Sequence, residues 1–476
     1  MSQGLKKKTA KAVGWSAVER FSLQTVGFIT GLLIARQLAP SDYGVIAMTS
    51  IFFAISGTFI DSGFSSALIR KNDRTESDNS TVFYFNIVIG AIATLLVFLS
   101  APIVAKFYDQ PLLIPIMRVL SLRLIIGSFN GVQQSILAAR IDFKSQAKVA
   151  FTSNILASAI ALTTAYMGWG VWALVAQSIA STLIRTVMLW TTVRWFPTMP
   201  FSKKSFDELF GYGSKLLASA LLDTTYNNIY TIVIGKVFSA GELGVYSRAS
   251  NLSKFPSENI TGIIQRVTFP VLSKMQDEDE RLSINYRKLL QVSAFLVFPL
   301  MIGLSAIASP LIITILTPKW SDSIIYLQIV CFAMMWYPIH AINLNLLQVK
   351  GRSDLFLRLE VIKKIIGVTV LVTTIPMGLV AMCYGRIFTS IVCLIVNTHY
   401  TGKLINVGYL KQMYDLLPAL LGSLVMGGVV YFTTTLIESP ILQLAAGVAV
   451  GAVTYSFIAL IFRFREVGYL KELIKR

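Results

Sequence analysis

An α-helix needs about 20 apolar residues to cross roughly 30 Å of hydrocarbon, and runs of that length recur in this chain from residue 15 to residue 462. The pattern predicts about 14 spans, near 15–36, 43–69, 81–101, 113–138, 150–167, 171–193, 209–234, 244–271, 289–308, 323–348, 362–376, 378–397, 415–435 and 440–462. Composition agrees: 54% of the 476 residues are apolar, 14% are charged, and the mean hydropathy is +0.66. A soluble chain carries about a quarter charged residues. The expected fold class is therefore an all-α polytopic membrane protein.

The net charge of +18 would suggest nucleic acid in a soluble chain, but its distribution gives a better account. With the N-terminus (Lys6, Lys7, Lys8, Lys11) in the cytoplasm, every second loop is cytoplasmic, and those loops and the two tails hold most of the 42 Lys and Arg. The alternate loops hold three, Lys106, Lys236 and Lys319. This is the positive-inside pattern; it predicts both termini inside, an even span count and no nucleic-acid partner. The first apolar run ends in Arg36 and has no small-residue cleavage site, so it reads as a retained helix rather than a signal peptide. Cys331, Cys383 and Cys393 sit in apolar runs without paired spacing, as small core residues do.

The chain also repeats itself. IARQLAPSDYGV near residue 34 returns as IGKVFSAGELGV, with Ile34, Arg36, Asp42, Gly44 and Val45 answered by Ile234, Lys236, Glu242, Gly244 and Val245. Ala101-Pro102 aligns with Ser309-Pro310, and RIDF at 140–143 with RSDL at 352–355. Six spans per copy is an even number, so the copies enter the membrane in the same direction, as parallel repeats about an axis along the membrane normal. The expected domains are an N-lobe of helices 1–6 (1–208), a C-lobe of helices 7–12 (209–402), and an appended helix pair with a cytoplasmic tail (403–476).

The loops exclude several activities. The outer ones reach about a dozen residues and the inner ones are too short for a nucleotide-binding domain; no G-x-x-x-x-G-K-[ST] occurs. No catalytic residues, metal site or cofactor is expected, and the chain is not expected to be an enzyme.

Ionisable groups in hydrocarbon cost about 2.5–3.5 kcal/mol each at a helix centre, so they face a bundle interior or a wet cavity. Helix 1 carries Arg20, Gln24, Gly27 and Gly31 on one stripe; helix 2 carries Ser50, Ala54, Gly57 and Asp61 at the same steps. Helix 7 shows Lys215, Ser219, Asp223, Asn227 and Tyr230, and helix 8 shows Arg248, Asn251, Phe255, Glu258, Gly262 and Gln265. Against this stand plainer readings. The glycines suit tight helix packing; Arg36, Arg185, Arg266 and Arg386 lie near span ends, where they are expected to snorkel; Lys254 and Glu258 form an intrahelical pair; Arg118 and Arg123 serve a cavity or a structural pair. His340 reads as a satisfied interior group, and Pro256 permits a kink in helix 8.

Fourteen spans, a six-plus-six duplication, the phrase LLIARQLAPSDYGVIAM and the later DSGFSSALIRK resemble the bacterial polysaccharide transport family of Wzx-type flippases, in the multidrug/oligosaccharidyl-lipid/polysaccharide flippase superfamily. The colanic-acid and teichuronic-acid exporter branch is the nearest in pattern, and Ala35 to Gly44 is the most specific segment. The resemblance implies movement of undecaprenyl-pyrophosphate-linked oligosaccharide across the bacterial inner membrane by alternating access around a basic central cavity, for lipopolysaccharide O-antigen, capsule or exopolysaccharide synthesis. Its implied partners are the lipid-linked oligosaccharide, membrane lipid, H+ or Na+ as coupling ion, and a polysaccharide polymerase.

On that reading the candidate substrate-binding residues of the central cavity are Arg20, Gln24, Lys215, Arg248 and Asn251, the cations facing the pyrophosphate. Asp61, Asp223 and Glu258 are candidates for coupling or charge balance. The alternatives are a cation-coupled drug antiporter of the same superfamily, a lipid II flippase and a membrane polysaccharide polymerase.

Overall fold

A computed structural model describes residues 24–61, 64–71 and 73–468. All the regular structure described is helical. The chain divides into two compact units, 1–244 and 245–476. The first holds α1 (24–37), α2 (Pro40–Asp61), α3 (Phe64–Arg70), α4 (Glu76–Tyr108), α5 (Leu113–Ser128), α6 (Gly131–Ala139), α7 (Phe143–Tyr166), α8 (Trp172–Val193) and α9 (Lys203–Val237). Helix α10 (Ala240–Ser273) begins in the first unit and continues in the second. There follow α11 (Asp279–Ala306), α12 (Ala308–Leu316), α13 (Ser323–Met334), α14 (Tyr337–Val349), α15 (Ser353–Thr374), α16 (Leu379–Ile405), α17 (Tyr409–Thr435) and α18 (Pro440–Ile461).

Among the described residues nine helices are long and apolar enough to span a membrane, α13 and α14 counting as one, and ten if the bent pair α5 and α6 is a single span. Fourteen is not established. The polar stripes explain part of the shortfall: α9 and α10 are 35 and 34 residues long but carry too many polar residues to pass as apolar.

The duplicated turn has a physical reason for each of its shared residues. Asp42 Oδ2 accepts from the Ala39 N–H at 2.9 Å, and Glu242 Oε2 accepts from the Ser239 N–H at 3.0 Å. Each acid thus satisfies a donor at a helix start and favours the positive end of the helix dipole. The glycines are needed for close approach. A Cβ on Gly44 would lie 1.7 Å from the Ala240 carbonyl oxygen, and one on Gly244 would lie 1.8 Å from that of Pro40. In the other repeated phrase, Asp142 caps α7 by accepting from the Ser145 N–H at 3.1 Å, while Arg352 grips Asp354 in the first turn of α15 through two bonds of 2.9 and 2.8 Å.

In the first unit an aromatic core gathers Phe64, Phe83, Val132, Ile136 and Leu209, with Trp190, Trp195 and Phe206 packed on it. The segment between α8 and α9 lies against the start of α4: Trp195 Nε1 donates to Glu76 at 2.7 Å, the Met199 N–H to Ser80 and the Ser202 N–H to Thr81. Lys71 joins α4 to α9, at 3.0 Å from Asp78 and 2.9 Å from Glu208. Burial alone would raise the Asp78 carboxyl, but bonds from the Thr75 backbone, Lys71, Ser205 and the Thr75 hydroxyl outweigh it and hold it below its ordinary value. The bond to Glu208 is the main cause that lifts Lys71, and Asp78 adds to it.

The second unit is tied by a different network. Arg287 grips Asp415 with bonds of 2.6 and 2.7 Å, and Gln291 donates to the same carboxylate. Fully buried Gln412 bonds Tyr286, Asn343, Thr401 and the Val407 carbonyl. The helices beyond the duplication, α17 and α18, are packed into this unit. A Cβ on Gly427 would meet Ile302 at 2.6 Å, and one on Gly447 would meet Ile307 at 2.7 Å.

Candidate functional site

The first unit encloses a cavity of about 830 Å³, walled by α2, α5, α6, α7 and α8. It exists because the fourth predicted span is broken. Helices α5 and α6 meet at a bend of 41°, and a break in membrane-spanning backbone survives only where its polar groups find partners. Here α8 supplies them: Thr186 donates to the Ile126 carbonyl at 3.3 Å and Trp190 Nε1 to that of Phe129 at 3.1 Å.

The cavity is polar to a degree unusual for a membrane interior. Three ionisable side chains line it, Asp61, Arg123 and Arg185. Arg123 donates to Ser178 at 2.8 Å and stacks over Phe53, 5.4 Å from the ring centre. Asp61 and Arg185 are close enough to attract one another. Five amides complete the lining: Asn130, Gln134, Gln146, Asn154 and Gln177. Asn130 is only 6% exposed, yet its side-chain Oδ1 has no hydrogen-bond partner among the described residues.

Of the residues expected to bind or balance charge, Asp61 is in this cavity. Arg20 lies outside the described residues. Lys215 falls in α9, and its side chain is likewise outside what is described. Gln24 has a buried side-chain oxygen that accepts nothing from the described residues. Asp223 is on an exposed face of α9; on α10, Arg248 is half-buried and Asn251 and Glu258 are exposed.

Two of the arginines expected to snorkel do not. Arg185 faces the cavity, drawn by its polar wall and by Asp61, and Arg386 donates to buried Tyr246 at 2.8 Å. The amides were missed outright, although the signal was in the sequence: Gly127, Asn130 and Gln134, and on α8 Ser178, Ser181 and Arg185, recur at steps of three and four, one helical face in each case. His340 is satisfied as expected, its two ring nitrogens bonded to Ser390 and Asn397 at 3.0 Å each.

Residues 33–325, more than half the chain, match the family described as polysaccharide biosynthesis protein; the protein belongs to that family. It is 23% identical to the teichuronic acid biosynthesis protein TuaB of Bacillus subtilis, over 95% of each chain. It is 24% identical to the succinoglycan biosynthesis transport protein ExoT of Rhizobium meliloti, over 96% of this chain and 93% of that one. In fold it is similar to the lipid II flippase MurJ in an inward closed conformation, with a TM-score of 0.78 at 14% identity over 96% of this chain and 99% of the other. An inward-facing multidrug resistance transporter of the MATE family gives 0.63 at 15% identity, over 83% of this chain and all of the other.

Proposed function

We propose that this protein is a flippase that carries a lipid-linked oligosaccharide between membrane leaflets. The observation that supports this most is the cavity itself. Two guanidinium groups, a carboxylate and five amides inside one membrane unit are costly to maintain in hydrocarbon, and a wall of that chemistry suits a sugar-bearing polar head. The lipid tail stays in the bilayer while the head crosses, and no covalent bond is made or broken. The relatives' names, a transport protein for succinoglycan and a biosynthesis protein for teichuronic acid, favour a surface polysaccharide precursor on an undecaprenyl pyrophosphate carrier.

In this reading the membrane is the bacterial inner membrane, both termini are cytoplasmic, two repeat lobes alternate their access, and a polysaccharide polymerase takes the product. Asp61 balances Arg185 or binds a coupling H+ or Na+. Arg20, Gln24, Lys215, Arg248 and Asn251 are the candidates that serve the pyrophosphate, with Asp223 and Glu258 as candidates for coupling or charge balance.

The test is leaflet translocation of a fluorescent undecaprenyl-pyrophosphate oligosaccharide in proteoliposomes holding this protein alone, with and without a proton or sodium gradient. Protein-dependent movement is expected, and its response to the gradient identifies the coupling. No movement by correctly folded protein, across several glycans, would overturn the reading.

A further inference from the structure

Resting on the flippase reading, we propose that the cavity of the first unit is a carbohydrate subsite, which holds sugar residues of the lipid-linked substrate while the pyrophosphate stays outside it. Three observations carry this.

The first is charge. Arg185 has Asp61 near it, while Arg123 is held by the neutral Ser178 hydroxyl and the Phe53 ring. Among the described residues the lining therefore carries two guanidinium groups and one carboxylate, about one net positive charge. A pyrophosphate diester brings two negative charges and calls for several cations in bidentate geometry.

The second is the kind of polar group. Amides donate and accept at once, which is what vicinal hydroxyls require, since each hydroxyl does the same. The Gln134 and Gln177 side chains make no hydrogen bond among the described residues, and Gln146 is held by its donor to the Gln134 carbonyl at 3.3 Å, leaving its own oxygen for a ligand. Gln412, buried in the second unit, looks different: its donors and acceptor are filled.

The third is the break. Asn130 sits between α5 and α6, more than nine-tenths buried; the residue is part of the cavity lining, and its side-chain oxygen, itself buried, has no partner among the described residues. It makes no side-chain cap on α6, so its amide is not spent on the start of that helix. A buried acceptor of this kind is costly when empty and is matched by a hydroxyl hydrogen. The volume of about 830 Å³ is in the upper range of small-molecule pockets, about 300–1,000 Å³, room for a short run of sugar residues.

The experiment pairs binding with transport. The probes are the phosphate-free oligosaccharide released by mild acid from the lipid-linked pool of the host cell, and inorganic pyrophosphate, each titrated against detergent-purified full-length protein. The double variant Gln134→Leu, Gln177→Leu and the shape-preserving pair Gln134→Glu, Gln177→Glu are compared with wild type, and thermal unfolding confirms that each is folded. Oligosaccharide binding is expected to weaken roughly tenfold or more in the leucine variant, with pyrophosphate binding unchanged. Equal oligosaccharide binding by wild type and both folded variants, or a loss of pyrophosphate binding to match, would overturn the subsite. Translocation of the intact lipid-linked substrate separates the two proposals. Absence of wild-type transport refutes the flippase; wild-type transport with KM unaltered in the variants refutes the subsite alone.

Discussion

Two helix pairs, α5 with α6 and α13 with α14, use their polar groups differently. In the first the break lies at a polar cavity and the Asn130 side-chain oxygen has no partner among the described residues. In the second, Ser257 donates to the Met334 carbonyl at 2.7 Å, His340 has both nitrogens bonded, and Asn343 joins Gln412 at 3.0 Å. Carrying the alignment of RIDF with RSDL back along the helix sets Asn130 and Gln134 against Ile342 and Leu346, both fully buried. The first pair lines a cavity with its amides, while the second ties His340 and Asn343 into its own packing and leaves the Asn345 nitrogen without a partner among the described residues.

That contrast yields a graded set of outcomes. The largest effect belongs to Gln412→Leu, which strands several buried polar groups and is expected to cost about 3 kcal/mol of stability, seen as a lower unfolding temperature with the transport KM unaltered. Lost transport at full stability would mean that the second unit's network also handles substrate. Next come Gly44→Ala and Gly244→Ala. Each drives a methyl into backbone and should cost about 1–3 kcal/mol; because the contact is reciprocal the two values should agree, and a large disparity in unfolding measurements would deny the copies equivalent packing at that turn.

Arg123→Gln should lower transport efficiency about tenfold, the loss of one charge-assisted bond, while stability holds or rises, since a buried guanidinium without an acid is not a stabilising group. A fall in stability with normal transport would make Arg123 structural. The smallest effect is on pH. Asp78, held below its ordinary value, contributes stability above about pH 5 that is lost as the pH falls through 3.8 toward its lowered folded value. Lys71, raised, contributes below 10.5 and loses that contribution above it. The clamp on α4 and α9 is therefore flat near neutrality, and Asp78→Asn should erase the acid limb of the stability profile. An acid limb of unchanged size would place its origin elsewhere.

Much of the fold was legible because its signals are collective: twenty-residue apolar runs, alternating basic loops and a repeated turn survive errors at single positions. The turn's acid and glycine were readable as a pattern, but only the backbone contact of Gly44 with Ala240 explains why no side chain is tolerated there. The exact count of spans was less secure, since α9 and α10 carry so many polar groups that hydropathy alone does not mark them. The site was read from charges, and the charged stripes led to helices 1, 2, 7 and 8. The polar part of the cavity lining is mostly uncharged, amides and hydroxyls on α6, α7 and α8, and a search for charges passes over such residues. Arg185 misled for a related reason: a place near a span end suggested snorkelling, but whether an arginine turns toward water or inward depends on what lies near it, here Asp61 and a polar cavity.

The most direct measurement is an experimental structure of the full-length protein in lipid nanodiscs with a bound undecaprenyl-pyrophosphate oligosaccharide. Sugar density among Arg123, Asn130, Gln134 and Gln177, with none at the break between α13 and α14, is the predicted result. Sugar bound elsewhere with the first unit's cavity empty would contradict the account.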